Sequence, residues 1–246
     1  MRYLILSDIH SNWEALEAVL ADARGAYDRV VCCGDLVGYG ADPNRVVEWA
    51  RRQCAAVVRG NHDKAAVGLE DLEWFNPVAR SAALWTERAL TAENLSYLKS
   101  LPQGPVRIEA FQILHGSPVD EDEYLISAMA AADLAEYFEV SVSFFGHTHL
   151  QGTFVLEQHR VGWVEKPSAE EDRVRLELED GRTYVINPGS VGQPRDDDPR
   201  AAYALYAPEE RAVELRRVRY PLEIAQAKIL RAGLPEVLAE RLAWGS

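Results

Sequence analysis

The chain has 246 residues, 48% hydrophobic and 26% charged, a composition that excludes a disordered chain and is long enough for a substantial core. Its formal net charge of -13 excludes bulk DNA or RNA binding through a broad basic surface, because such affinity rests on Lys and Arg neutralising phosphates. No apolar stretch reaches the length of a membrane span, and the run from Met1 to Ser7 is too short for a signal sequence before Asp8 interrupts it. Taken in chain order, Tyr3 to Ser7 predicts a strand, Asn12 to Arg24 a helix with Trp13, Leu16, Val19 and Leu20 at helical spacing, and Val30 to Cys33 a second strand. A helix from Asn44 to Cys54, after Pro43, and a strand from Ala55 to Arg59 complete a βαβαβ pattern, hence parallel strands. Right-handed crossovers place Asp8, Asp35 and Asn61 along one edge, beyond the carboxyl ends of those strands.

From Leu69 to Leu101 the pattern turns helical, with Trp74, Phe75, Val78, Trp85, Leu90, Leu95 and Leu98 read as core packing and Thr91 as a cap. Gln112 to Leu114 and Ser141 to Phe145 are short strands, each delivering a histidine cluster just past its end. Beyond Gly152 the composition favours strands. Val174 to Leu178 and Thr183 to Ile186 flank Asp180-Gly181 as an expected hairpin, and Ala202 to Ala207 pairs with Ala212 to Val218 across Pro208-Glu209-Glu210. These strands are expected to form a second, largely antiparallel sheet packed on the first. Helices after Pro221 and Pro235 close the chain. Glu170-Glu171-Asp172 reads as a solvated loop and His159 as a surface residue. With no internal repeat and no low-complexity linker, residues 1–246 are expected to form one domain.

Three cysteines are present, and Cys32 and Cys33 are neighbours on one strand, so a disulfide framework and a Cys-based metal site are both disfavoured; a reducing cytoplasm is the expectation. Five of the six histidines lie instead in short motifs with Asp, Asn and Gly: Asp8-Ile9-His10, Gly34-Asp35, Gly60-Asn61-His62-Asp63, His115-Gly116 and Gly146-His147-Thr148-His149. Imidazole, carboxylate and carboxamide oxygen suit borderline transition metals. By ligand type, Asp8, His10, Asp35 and His149 make one site and Asp35, Asn61, His115 and His147 the other, with Asp35 as a shared carboxylate and a water between two dications roughly 3.5 to 4 Å apart. Such a pair leaves about one net positive charge, lowers the pKa of the water and needs no Ser or Cys nucleophile. His62, left over, is placed to donate a proton to a leaving oxygen.

The same motifs, with His115 alone from the fourth, resemble the signature of the calcineurin-like metallophosphoesterases over positions 8 to 149, and Asn187-Pro188-Gly189-Ser190-Val191-Gly192 resembles the closing loop of their small prokaryotic phosphodiesterase branch. The resemblance implies an α/β four-layer αββα sandwich of two mixed β-sheets flanked by helices, with two divalent ions, Mn first and Fe, Ni, Zn or Co also suited. One departure stands out. Where the serine/threonine protein phosphatase branch has an Asp that orients the catalytic histidine and an Arg that binds phosphate, this chain has Gly38 and Tyr39. Arg59 or Arg195 is a candidate replacement cation, Asn12 a candidate phosphate contact or a helix cap, and Tyr39 a candidate pocket residue.

The leading expectation is a metal-dependent phosphodiesterase acting on small phosphoesters by in-line attack of the bridging hydroxide, with His62, Asp35 and Asn61 as catalytic residues. A diester carries less charge than a monoester dianion and needs less cationic grip. The alternatives are a serine/threonine phosphoprotein phosphatase, a dinucleoside polyphosphate hydrolase and, in another class, a metal-binding protein-interaction scaffold such as the retromer subunit of this resemblance. The retained His62 argues against the scaffold. The sequence carries no signal for oligomeric state.

Overall fold

The computed structural model describes residues 1–157 and 160–246, with the side chain of Trp74 outside the description; the expectations for His159 and Trp74 therefore fall outside the described residues. The elements run β1 (Tyr3–Leu6), α1 (Trp13–Asp22), β2 (Arg29–Cys32), α2 (Pro43–Gln53), β3 (Cys54–Val57), α3 (Asn61–Ala66), α4 (Pro77–Ala89), α5 (Ala92–Ser100), β4 (Val106–Ile108), β5 (Phe111–Ile113), α6 (Ala128–Asp133) and β6 (Val142–Phe144). Then follow β7 (Gly152–Glu157), β8 (Arg160–Glu165), β9 (Arg173–Glu177), β10 (Thr183–Asn187), β11 (Ala201–Ala207), β12 (Ala212–Val218), α7 (Leu222–Arg231) and α8 (Glu236–Trp244). Local chemistry sets several of these boundaries: Asn12 accepts the Ala15 N–H at the start of α1, Pro43 opens α2, and Thr91 Oγ1 caps α5 through the Asn94 N–H.

Two six-stranded sheets result, in the orders β3-β2-β1-β11-β12-β9 and β4-β5-β6-β10-β7-β8. Strand β1 shows how they stack: Tyr3 and Ile5 face the second sheet with Val31, Phe111, Phe144 and Ile186, while Leu4 and Leu6 face α1, α2 and α5 through Leu16, Val46, Val47 and Leu98. On the far side of the second sheet, Phe145, Phe154 and Val185 pack against Ala131 of α6. The layers are helix, sheet, sheet and helix, as in the expected sandwich. Each fully buried Leu, Ile or Val contributes about 1.5–3 kcal/mol from leaving water, so alternation along β1 is what holds the inner layers together. Cys32 and Cys33 belong to different layers, as adjacent residues on a strand must, and both are free thiols.

Two expectations for the C-terminal half are corrected. Its strands do not form a sheet of their own: β9, β11 and β12 extend the first sheet, and β7, β8 and β10 extend the one begun by β4, β5 and β6. The Asp180-Gly181 turn exists, with Gly181 at φ 80°, but the strands on either side of it part into different sheets. Burial explains the separation. Tyr184, Val185 and Ile186 of β10 are covered on both faces and suit a central position, whereas β9 alternates exposed and half-buried residues and suits an edge. The hairpin of β11 and β12 forms as expected, from Ala201 opposite Val218 to Ala207 opposite Ala212.

Candidate metal centre

β1, β2 and β3 run parallel, as do β5 and β6, so the loops following them open at the carboxyl ends of strands from both sheets. Backbone bonds then tie the loops together: Asp8 N–H to the Gly34 carbonyl, His10 N–H to Asp35, and Gly146 N–H to His115, while His147 N–H reaches across to Asp8 Oδ1 at 3.2 Å. The approach is so close that a Cβ on Gly60 would lie 2.1 Å from Asp35 Oδ1, and one on Gly146 2.0 Å from Ser7 Oγ. Asp8, His10, Asp35, His147 and His149 all adopt positive φ, between 48° and 65°. Left-handed backbone at non-glycine residues costs on the order of 1 kcal/mol each and survives only where the surroundings impose it, as functional sites do.

One oxygen or nitrogen from each of Asp8, His10, Asp35 and His149 falls within a 4.8 Å cluster, and the same holds for Asp35, His115 and His147. Asp35 belongs to both: its Oδ2 is 3.5 Å from His10 Nε2 and 3.6 Å from His115 Nε2, while Oδ1 accepts the His62 N–H at 2.9 Å. Asn61 Oδ1 joins the second cluster, 3.2 Å from His115 Nε2.

The tautomers follow from second contacts. His10 Nδ1 donates to the Val37 carbonyl and His149 Nδ1 to that of Gln193, so both Nε2 atoms carry lone pairs, yet they face each other at 3.0 Å. His115 donates from Nδ1 to the Cys33 carbonyl and turns its Nε2 lone pair toward Asn61 and Asp35. His147 is reversed: Nε2 donates to the Asp122 carbonyl, leaving Nδ1 as the ligand atom. Lone pairs converging without a proton between them, beside a buried Asp8 Oδ2 that has no partner, repel unless a cation sits among them. The donor set fits divalent metals.

Titration points the same way. Burial drives the imidazoles of His10, His62, His115 and His149 below their ordinary range and that of His147 down to about 2, so their lone pairs are free for a metal. Burial, then Asp63 and Asp8, pushes Asp35 well above the usual carboxylate range. Burial opposes charge on Asp8 too, whereas any proton on the neighbouring histidines, His149 foremost, lowers its pKa.

His62 is buried, with Nδ1 unpartnered. Packing holds it: the Tyr39 ring lies 4.3 Å away, His10 5.0 Å edge-on and Phe75 5.3 Å edge-on, and a Cβ on Gly38 would stand 2.7 Å from its Nδ1. Gly38 and Tyr39, the residues at the departure from the protein phosphatase pattern, are thus among those packed directly against the His62 ring. Phe75, expected to be core, lines the cleft in front of His62. Arg195 donates to Tyr39 Oη at 3.3 Å and has no acidic partner among the described residues; its Nε is buried and unpaired. The expectation of a free cation at Arg59 is corrected: its Nε and Nη2 both engage Glu121, at 2.9 and 2.7 Å. Asn12 is the α1 cap, and its Nδ2 donates to the Gly192 carbonyl.

Three roles escaped sequence reasoning. Asp63 accepts the Val37 and Gly60 N–H groups and so joins two ligand-bearing loops; its place in the Gly-Asn-His-Asp motif was the available signal. Asn187 donates to the Gly146 carbonyl and Thr148 Oγ1, bracing the loop of His147 and His149. Tyr124 stacks on His147 with ring centroids 3.9 Å apart, and no motif marks it.

A family model for the calcineurin-like phosphoesterase superfamily domain matches residues 1–211. An uncharacterized protein of Methanocaldococcus jannaschii is 36% identical, over 98% of this chain and 97% of its own. A metallophosphoesterase of Sphaerobacter thermophilus, solved by crystallography, is 42% identical with a TM-score of 0.88, covering 100% of this chain and 99% of that one. A hypothetical protein of Pyrococcus horikoshii shares the fold at 20% identity, TM-score 0.78, over 100% and 98%.

Proposed function

Since the chain belongs to the calcineurin-like phosphoesterase superfamily, we propose that it is a dinuclear phosphodiesterase acting on small diesters. Asp8, His10, Asp35 and His149 would hold one divalent ion, and Asp35, Asn61, His115 and His147 the other, with Asp35 shared. When bound, the ions supply Lewis acidity: they lower the pKa of water and withdraw charge from phosphate oxygens. Mn is the expected occupant, since carboxylate, imidazole and carboxamide ligands accommodate it.

The observation that carries the choice of a diester is the charge around the cleft. Glu70 and Asp122 line it, the Lys64 they hold is also paired with Glu121, and Glu121 takes Arg59 as well, so none of these cations is free. A monoester dianion would meet carboxylates there, whereas a diester, with one negative charge, needs only the centre itself and Arg195. His62 faces this cleft while its Nδ1 is buried, so Nε2 is the atom left for the substrate. Burial and the nearby Arg195 keep its ring neutral; it serves as an Nε2–H donor whose hydrogen bond stabilises the negative charge growing on the departing oxygen, and the proton that completes the leaving alcohol is supplied by the attacking water. Tyr39 and Phe75 keep its ring in place.

We also take residues 1–246 as one domain, because Leu238 and Leu242 of α8 pack with Tyr39 in one apolar cluster. No helix among the described residues is long and apolar enough to cross a membrane, and with three free cysteines the reading is a cytoplasmic protein. Hydrolysis of bis(4-nitrophenyl) phosphate against 4-nitrophenyl phosphate, with Mn supplied, tests the substrate class. The diester is expected to turn over faster; equal or reversed preference overturns it. Product chromatography on phosphopeptides and dinucleoside polyphosphates separates the neighbouring activities.

A further inference from the structure

Strand β12 places an arginine where its own pattern calls for an apolar residue. Val213 and Leu215 point into the layer between the sheets, and alternation sends Arg217 to the same face, opposite Ala202. The side chain is fully buried and all three of its nitrogens are engaged. Nε donates to Gln151 Oε1 at 2.7 Å, Nη1 to the Asp198 and Arg200 carbonyls at 3.4 and 3.3 Å, and Nη2 to Asp196 Oδ2. Gln151 precedes β7 of the other sheet, and its N–H also donates to Asp196 Oδ2, at 3.1 Å. Lys166 adds a second cation, bonded to the Asp196 carbonyl and 3.5 Å from Oδ1. A buried ion pair seldom holds a fold better than an apolar pair of the same volume, because desolvation offsets the attraction. What it adds is direction: the planar guanidinium fixes Asp196 in both position and angle.

Arg195 immediately precedes Asp196. Upstream the chain is held at the metal centre: the Gln193 carbonyl accepts His149 Nδ1, the Gln193 N–H donates to Ser190 Oγ at 2.8 Å, and the Arg195 N–H meets the His149 carbonyl at 3.4 Å. Downstream it is held by Arg217. Arg195 thus spans two anchors, and its Nη2 reaches Tyr39 Oη at 3.3 Å and Gln193 Oε1 at 3.2 Å. Both acceptors are neutral and at the long end of hydrogen-bond range, so the aim of the guanidinium depends on where the backbone sets it. The Tyr39 ring lies 4.3 Å from that of His62 and 4.7 Å from that of His10. The charge is felt there, since Arg195 disfavours protonation of His10, His62 and His149.

We propose that Arg217, acting through Asp196, is a positioning residue for Arg195 and so sets how tightly a phosphodiester anion is held beside the metal centre. The proposal rests on the reading of Arg195 as the cation that meets the diester. Without the pair, Asp196 loses its tether and Arg195 its aim. The loss falls on substrate binding and spares the metal sites, because the bonds of Arg217 and Asp196 go to none of the ligand residues.

Kinetics on bis(4-nitrophenyl) phosphate and the NMR signal of the Arg195 Nε–H test it on the full chain. Arg217→Met should raise KM on the order of tenfold and leave kcat within about twofold, the pattern of lost uniform binding, with metal content near two per chain. In an Arg195→Ala background the same substitution should raise KM no further, because a residue acting through another then has nothing to act on. Arg217→Lys, which keeps the charge without the planar fork, should restore only part of the loss. The spectrum is read on Zn-loaded protein, Zn being diamagnetic. Arg195 Nε is buried, and its resonance is identified by its absence in Arg195→Ala; in Arg217→Met its proton should exchange with water several-fold faster. Where Arg217→Met does not fold, Arg217→Met/Asp196→Asn, which leaves neither buried charge unpaired, carries the same measurements. Failure of both to fold assigns the pair to the fold alone and overturns the proposal. An unchanged Arg195 signal, or a KM rise that persists in full in Arg195→Ala, overturns it as well. An Arg195→Ala protein with unchanged KM, or a chain that hydrolyses no diester, while Arg217→Met still alters the Arg195 signal, refutes the diester reading alone.

Discussion

Gly60→Ala adds one methyl group at the point where the two halves of the centre meet. At φ -107° the backbone there suits any residue, so the effect is purely steric. The new carbon would lie 2.1 Å from Asp35 Oδ1 and 2.6 Å from Asp35 N, more than 1 Å inside contact distance. Asp35 cannot turn away, because Oδ1 accepts the His62 N–H at 2.9 Å while Oδ2 stands between His10 and His115. Overpacking of this kind costs about 1–3 kcal/mol. For a chain of this length 1 kcal/mol corresponds to roughly 2 °C, so Tm should fall by about 2–6 °C. Function should suffer more than stability, since metal ligands tolerate only about 0.2 Å and Asp35 belongs to both ligand clusters. Metal affinity is expected to drop on the order of 10–100-fold, the usual loss when a ligand's supports are disturbed. Elemental analysis after dialysis, thermal melting and diesterase assay read the three effects. Gly181→Ala is the control: at φ 80° with nothing within 4 Å, it bears backbone strain but should keep both ions. A Gly60→Ala protein that retains two metals per chain and full turnover would refute the shared-carboxylate argument.

Other consequences follow from the same geometry. Asp35→Asn should lose metal from both clusters, and elemental analysis finding two ions per chain would contradict the bridge. His62→Ala should abolish turnover with metal content near two per chain, because His62 contributes only its backbone N–H to Asp35; undiminished turnover would remove His62 from the mechanism. EDTA treatment should lower Tm and Mn should restore it, by roughly 2.7 kcal/mol per site at a hundredfold excess over Kd; a Tm indifferent to both would argue against a metal centre. In the metal-free protein, His10, His62 and His147 are held far below their unfolded pKa, so below pH 6.5 the unfolded chain takes up protons the folded chain refuses, and stability falls with pH. Asp35 and Asp63, raised by burial, oppose this with fewer groups; denaturant melts showing greater stability at pH 5 than at pH 7 would reverse the sign.

Much of the site was legible in the residues themselves. Ligand chemistry is local: Asp8-Ile9-His10 and Gly146-His147-Thr148-His149 advertise metal binding through residue type and spacing, and the parallel βαβαβ pattern tells where their loops must open. Strand alternation in Tyr3–Leu6 likewise announces two buried faces. What a sequence does not carry is the choice among partners of similar local character. The two strands around Asp180-Gly181 read as a hairpin because turn and alternation are local signals, and only competition for burial between two whole sheets sends them apart. Arg59 looked like a free cation because its one acidic neighbour in the chain, Asp63, belongs to the motif loop and accepts backbone N–H groups; Glu121, which claims Arg59, is 62 residues away. Tyr124 gave no sign, since its meaning lies in the His147 ring it covers. Chain-local chemistry determined which atoms could bind metal, and long-range packing alone decided how the cleft before them is walled, because contact energies depend on neighbours that only the folded backbone brings together.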